Sequence, residues 1–362
     1  MKNSFGSSLS VTLFGESHGE YIGAVIDGIA PGIRIDEEYL REKLAMRRPV
    51  GKISTARRED DEYILASGVI NGVTTGTPLT VLIPNKNTKS SDYSKLKILP
   101  RPSHADYSAE CKYHGYQDYR GGGHFSGRIT AALVAAGAII SHALRDKGIK
   151  IGTHIYRLHG ISDRGFVSYE EDIDILSKKL FPTLSDEAEE LMKREIEKAA
   201  KDHDSVGGIL ESAVIGVPAG VGEPWFDSME SVISHILFSI GGIKGIEFGA
   251  GFGVADMLGS EANDPFILDG GKVTTKTNNN GGINGGITNG MPITLRCAVK
   301  PTPSIFKEQD TVNLATMKEE KLTIEGRHDP AIIHRVRAVV DAALAIALAD
   351  MLTTRFGTDY LA

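Results

Sequence analysis

The chain has 362 residues, a net charge of −7 and 41% apolar residues, a make-up expected of a globular protein with a sizeable core. The acidic balance argues against a general nucleic-acid binder, no apolar run reads as long enough to span a bilayer, and the opening MKNSFGSSLS has no apolar stretch of a secretory signal. Cys111 and Cys297 lie far apart, too few for a disulfide framework and consistent with a reducing cytoplasm; no metal-ligand spacing such as Cys-x-x-Cys or His-Glu-x-x-His is present.

In chain order, Ser8 to Phe14 is a short apolar, β-branched run that predicts a strand. GESHG (15–19) follows as a loop, then a second strand from Glu20 to Gly28 and a turn at Ala30-Pro31-Gly32. Strands continue to about residue 83, with one helix from about Asp36 to Ala45. Residues 84–120 are polar, aromatic and turn-rich and read as a long functional loop. Ser126 to Arg145 predicts a long helix of small residues, ended by Lys147-Gly148; small residues on all faces imply close packing on both sides. A strand from Ile149 to Leu158 precedes a charged helix from Ser185 to Lys201, with an apolar stripe at Leu191, Ile196 and Ala200. Strands and a helix return over 209–258, and 260–290 is polar and glycine-rich. Pro292 to Val299 is strand-like, and a final helix over 330–349 has Asp329 placed as N-cap and Pro330 as its first residue. No repeat or linker divides the chain, so one large α+β domain over 1–362 is expected.

GESHG fits the G-x-S-x-G pattern of a hydrolase nucleophile elbow, which needs a helix after the serine. A second strand is predicted there instead, so Ser17 reads as a polar loop residue and not a nucleophile. Positive charge is concentrated between Arg41 and Arg58, where seven basic residues accompany the single acid Glu42, and again from Lys95 to Arg120. Local positive charge in an acidic chain suggests a small anionic ligand. The 41 glycines cluster at 121–123, 241–242, 249–253, 281–282 and 285–286, where backbone N–H groups can approach a phosphate or cofactor. Five segments carry chemistry: GESHG, RRPVGKISTARRE (47–59), RPSHAD (101–106), RGGGHFSGR (120–128) and GRHDP (326–330). Each has a bland counterpart: a turn histidine, a loop histidine, solvated arginines, or a helix cap worth about 1 kcal/mol.

Together with KGIEFGAGF, GSEAND, NNGGINGGITNG and KPTPS, these segments resemble the chorismate synthase family in order and spacing over about residues 8 to 350. The resemblance implies a carbon–oxygen lyase of the cytoplasm. It would remove phosphate and the C6 hydrogen from 5-enolpyruvylshikimate 3-phosphate by 1,4-anti elimination, giving chorismate at the end of the shikimate pathway. Reduced FMN (FMNH2) is required although no net redox occurs. It implies a fold of two antiparallel sheets around helix layers, a homotetramer, no membrane or nucleic-acid partner, and no fused flavin reductase domain, so flavin reduced by an external NADPH-linked reductant. His18 would protonate the leaving phosphate, favoured in its charged form by that dianion. His104 would donate to the flavin near N1 and O2, and Asp329 would take the proton from flavin N5. Ser17, Arg47, Arg48, Lys52, Arg57 and Arg101 would meet the substrate's phosphate and carboxylates, which arginine forks match in pairs. His124, Phe125, Ser126, Gly241, Gly242, Gly285, Lys300, Pro301, Thr302, Pro303, Ser304 and Arg327 would surround FMN. Many members read GGGRSSAR and Ser-Ile-Asn-Ala where this chain has GGGHFSGR (121–128) and Ser239-Ile240-Gly241-Gly242. Two other classes compete: a flavin-dependent oxidoreductase using the same glycine motifs, and a passive binder of phosphorylated metabolites.

Overall fold

The computed structural model describes residues 2–49, 51–54, 60–86, 95–324 and 329–362. A first antiparallel sheet has the order Ser4–Phe5, Ser10–Gly15, Tyr21–Asp27, Leu79–Pro84, Ile64–Ser67. A second has the order Ile243–Phe248, Ile293–Val299, Gly208–Ile215, Lys150–Leu158, Ile161–Ser162. Leu79–Pro84 and Ile293–Val299 alternate buried and half-buried residues, so each sheet offers an apolar face to a helix layer.

The described helices are α1 (Glu37–Met46), α2 (Asp106–Tyr113), α3 (Thr130–Asp146), α4 (Tyr169–Ser177), α5 (Asp186–Lys201), α6 (Met229–Ser239), α7 (Gly259–Ala262) and α8 (Ile333–Phe356). α3 packs on the first sheet and on α8, and α8 packs on the second sheet, giving the order sheet, helix, helix, sheet. This is the α+β sandwich expected. The small residues make the central layer possible: a Cβ on Gly137 of α3 would lie 2.4 Å from the Ala342 Cβ of α8. Side-chain caps set several helix starts. The Asp36 carboxylate accepts from the Tyr39 N–H at 3.0 Å, and the Ser185 hydroxyl accepts from the Ala188 N–H at 3.3 Å.

Several expectations are corrected. Residues 95–120 are not all loop: α2 forms there, because Asp106 starts a turn that the chain ends at left-handed His114. The last helix begins at Ile333 and runs to Phe356, and Asp329 does not cap it, since its carboxylate is engaged by Arg335. α5 buries Ala188, Met192, Ile196 and Ala199, so its inward stripe passes beside Leu191 and Ala200. The 260–290 stretch holds an exposed hairpin, Phe266–Asp269 with Lys272–Thr275. Gly127–Asp146 is long and apolar enough to cross a membrane, contrary to the reading of the sequence, but 78% of its apolar window is buried between the layers.

Candidate active site

Residues 15–19 join two paired antiparallel strands, so no helix follows Ser17 and the elbow geometry is absent. The triple glycine binds this loop to the RPSHAD segment. Gly121, Gly122 and Gly123 have φ of 59°, 81° and 53°, values that L side chains rarely adopt. A Cβ on Gly121 would lie 2.3 Å from His18 Cε1, and one on Gly122 would lie 3.3 Å from His104 Cε1. The glycine backbone thus runs between the two histidines. The Ser17 N–H donates to the Gly123 carbonyl at 3.0 Å, and His124 Nδ1 donates to the Gly15 carbonyl at 2.8 Å. Ser17 is fully buried, and its hydroxyl has no hydrogen-bond partner among the described residues.

Beyond the loop, carboxylates hold the cations in place. Asp61 is buried and accepts from Arg47 Nη1 at 2.8 Å and from Arg128 Nη1, while Arg48 Nε stands 3.9 Å away. Burial alone would raise the Asp61 carboxyl; the two guanidiniums outweigh it and keep it below the ordinary range. Arg335 Nη1 donates to Asp329 at 2.6 Å and its Nε to the Arg47 carbonyl at 2.7 Å, joining α8 to the end of α1. Arg101 grips Asp106 through Nε and Nη2, both at 2.8 Å, and His104 Nδ1 lies 2.6 Å from the same carboxylate. Lys300 Nζ donates to the Ser103 carbonyl. Burial, then neighbouring Lys244, lowers the Lys300 ammonium from its usual value.

A cavity of about 930 Å³ gathers most of these residues, at the upper end of ordinary ligand sites. Its wall includes Arg47, Arg48, His104, His124, Phe125, Ser126, Gly241, Gly242, the Lys300 to Ser304 run and Asp329. Ser17, His18 and Arg101 are buried beside it and are not on that wall. Gly285 stands elsewhere, in the turn between Ile283–Asn284 and Ile287–Thr288. Arg57 and Arg327 lie outside the described residues, as does the side chain of Lys52. Sequence reasoning missed Asp61, Arg128, Lys244 and Arg335 on the wall and Asp106 behind it. Arg128 and Asp106 stood inside motifs already singled out. Nothing in one sequence said that Asp61, of four successive acids, folds inward.

The family model for chorismate synthase matches residues 9–353. A chorismate synthase of Pyrococcus abyssi is 48% identical over 350 residues, 97% of either chain. One of Chitinophaga pinensis is 45% identical over 350 residues, 97% of this chain and 96% of that one. A crystal structure of a chorismate synthase superposes with a TM-score of 0.74 at 28% identity, covering 98% of this chain and 94% of the other.

Proposed function

The chain belongs to the chorismate synthase family of carbon–oxygen lyases, and we propose that it converts 5-enolpyruvylshikimate 3-phosphate to chorismate by 1,4-anti elimination, using reduced FMN without net redox change. The observation that carries this reading is one cavity lined by seven cations and two carboxylates, with His104 and Asp329 on its wall. A substrate with a phosphate and two carboxylates matches that imbalance. The residues also fit a flavin. Val11, Leu133, Ile236, Val339 and Ile346 give the cavity an apolar side for a flat ring, and the buried Thr302 hydroxyl on the wall has no partner among the described residues.

When bound, reduced FMN supplies an electron-rich π-system that lends charge to the substrate as the allylic phosphate departs and recovers it afterwards. His124, Phe125, Ser126, Gly241, Gly242 and the Lys300 to Ser304 run would hold it, with Arg327 from outside the described residues; Gly285 stands off this wall. Arg48, Lys52 and Arg57 would take the substrate's anions directly. Arg47 and Arg101, each already on a carboxylate and buried, would add a field that the low local dielectric makes stronger than it would be in bulk water. Ser17 would donate to the phosphate and His18 would give it a proton. His104 would donate from Nε2, and Asp329 would accept a proton at the carboxylate that Arg335 orients. Such groups contribute roughly 10²–10⁴-fold each. We place the enzyme in the cytoplasm as a homotetramer with one unit over residues 1–362, supplied with flavin reduced externally at the last step of the shikimate pathway.

The test is paired binding and turnover. His104→Ala and Asp329→Ala should bind the substrate with nearly unchanged affinity and form product at least about 10²-fold more slowly. Full turnover in both variants would contradict the assigned roles, and so would unchanged behaviour in the wild type and variants as a mere binder.

A further inference from the structure

We propose that Asp106 sets the tautomer of His104: the neutral ring carries its proton on Nδ1, so the nitrogen left for the cavity, Nε2, is a donor only in the imidazolium. The inference deepens the proposed role of His104 and concerns a residue to which that role assigned nothing. Its basis is geometric. Asp106 opens α2, and its two oxygens are held by the Arg101 N–H at 3.0 Å, Arg101 Nε at 2.8 Å and Arg101 Nη2 at 2.8 Å. His104 Nδ1 completes the set at 2.6 Å.

Burial alone would raise this carboxyl. The hydrogen bonds from Arg101 and His104 and the Arg101 charge outweigh burial and hold it far below the usual range. An ionised carboxylate only accepts, so a contact of 2.6 Å makes Nδ1 the donor. Arg101 Nη2 also stands 3.1 Å from Nδ1. A guanidinium only donates; one Nη2 proton goes to the Asp106 oxygen at 2.8 Å, and the shorter 2.6 Å contact with that acceptor-only carboxylate keeps the Nδ1 proton in place. His104 lines the large cavity and Asp106 does not, so the carboxylate that meets Nδ1 lies behind the wall. On that far side a small cavity of about 20 Å³ carries Lys97, Glu110, Asp118 and Tyr119 as its other charged or titratable groups. On the near side Lys300 donates to the carbonyl of Ser103, the residue before the ring. None of these replaces Asp106 in contact with Nδ1.

The arrangement makes a general prediction about proton placement. A carboxylate behind a histidine fixes which nitrogen is protonated and stabilises the charged ring once it forms. Replacing it with an amide, which can donate, removes both effects. In Asp106→Asn the new amide and Arg101 can each donate to Nδ1, and the neutral proton moves to Nε2.

The experiment is nitrogen NMR of the ligand-free full chain with ¹⁵N-labelled histidine, the His104 signals being those lost in His104→Gln. The wild type should show the Nδ1–H neutral tautomer, and Asp106→Asn should show Nε2–H. Asp106→Glu, which keeps a carboxylate, should restore Nδ1–H. An Nε2–H tautomer in the wild type would overturn the proposal, and that reading needs no variant to fold. An unchanged tautomer in Asp106→Asn would overturn it as well. Turnover is then measured separately. A flipped tautomer with kcat reduced about 10-fold or more and KM little changed supports both the proposal and the role of His104. A flipped tautomer with unchanged kcat supports the tautomer assignment and shows that a neutral Nε2–H ring donates as well as the imidazolium; the role of His104 fails only if His104→Ala keeps full turnover, so the two failures are distinct.

Discussion

His334 shows how one buried side chain becomes a pH term. It sits in the first turn of α8 with Nε2 2.8 Å from the Ser54 hydroxyl and its ring stacked on Phe181 at 5.8 Å. Burial, then Arg335 and Lys193, pushes the imidazole down to about 3. In the unfolded chain it returns to roughly 6.5. The folded value is the lower one, so below pH ~6.5 the unfolded chain takes up a proton that the folded chain refuses. Stability therefore falls with acid, by up to about 1.4 kcal/mol per pH unit, until pH approaches the folded value. His154, raised by Asp163 and Glu211 against the cost of burial, has the opposite sign and is unaffected by a change at 334. Urea unfolding of the wild type and His334→Gln between pH 7 and pH 5 should show the smaller acid loss in the variant. Parallel losses would contradict a neutral, buried His334. At this scale the sequence was legible for residue types and not for their partners. Arg47 and Arg101 were recognisable as important cations, but Asp61 and Asp106 lie 14 and 5 residues away along the chain, and only folding brings them to the guanidiniums.

At the scale of elements, α3 and α8 are held at a separation that only small residues permit. The Gly137 contact with Ala342 leaves no room for a branched side chain. Gly137→Val should separate the two helices and cost about 1–3 kcal/mol by overpacking, read as a lower urea midpoint at unchanged m-value. Stability equal to the wild type would mean that the layers slide apart freely. Both helices were legible because their small-residue runs are long and bounded by clear signals. The polar α2 was not, since Ala109 is its only buried residue and it carries almost no apolar periodicity. The stripe of α5 was misplaced by one position at either end, because Leu191–Ile196–Ala200 and Met192–Ile196–Ala199 share their central residue. Asp329-Pro330 has the form of a helix start, yet Arg335 takes the carboxylate and the helix opens at Ile333.

The whole molecule is acidic, at −7, while the cavity of about 930 Å³ is lined by seven cations and two carboxylates. A basic concavity with low-dielectric walls focuses its field toward the opening and attracts anions from solution. The motif order along the chain was enough to identify the family and the sandwich. The cavity itself was not legible, because its wall is assembled from segments between residues 2 and 346. The proposed elimination involves no net redox, which would set it apart from a flavin oxidoreductase built on similar glycine loops. The direct measurement is anaerobic: 5-enolpyruvylshikimate 3-phosphate is mixed with the protein and chemically reduced FMN, and phosphate release is followed together with the ultraviolet absorbance of the chorismate diene and the flavin spectrum. We predict equal amounts of phosphate and chorismate over many turnovers, with the flavin still reduced at the end. Flavin oxidation in step with product would contradict the account.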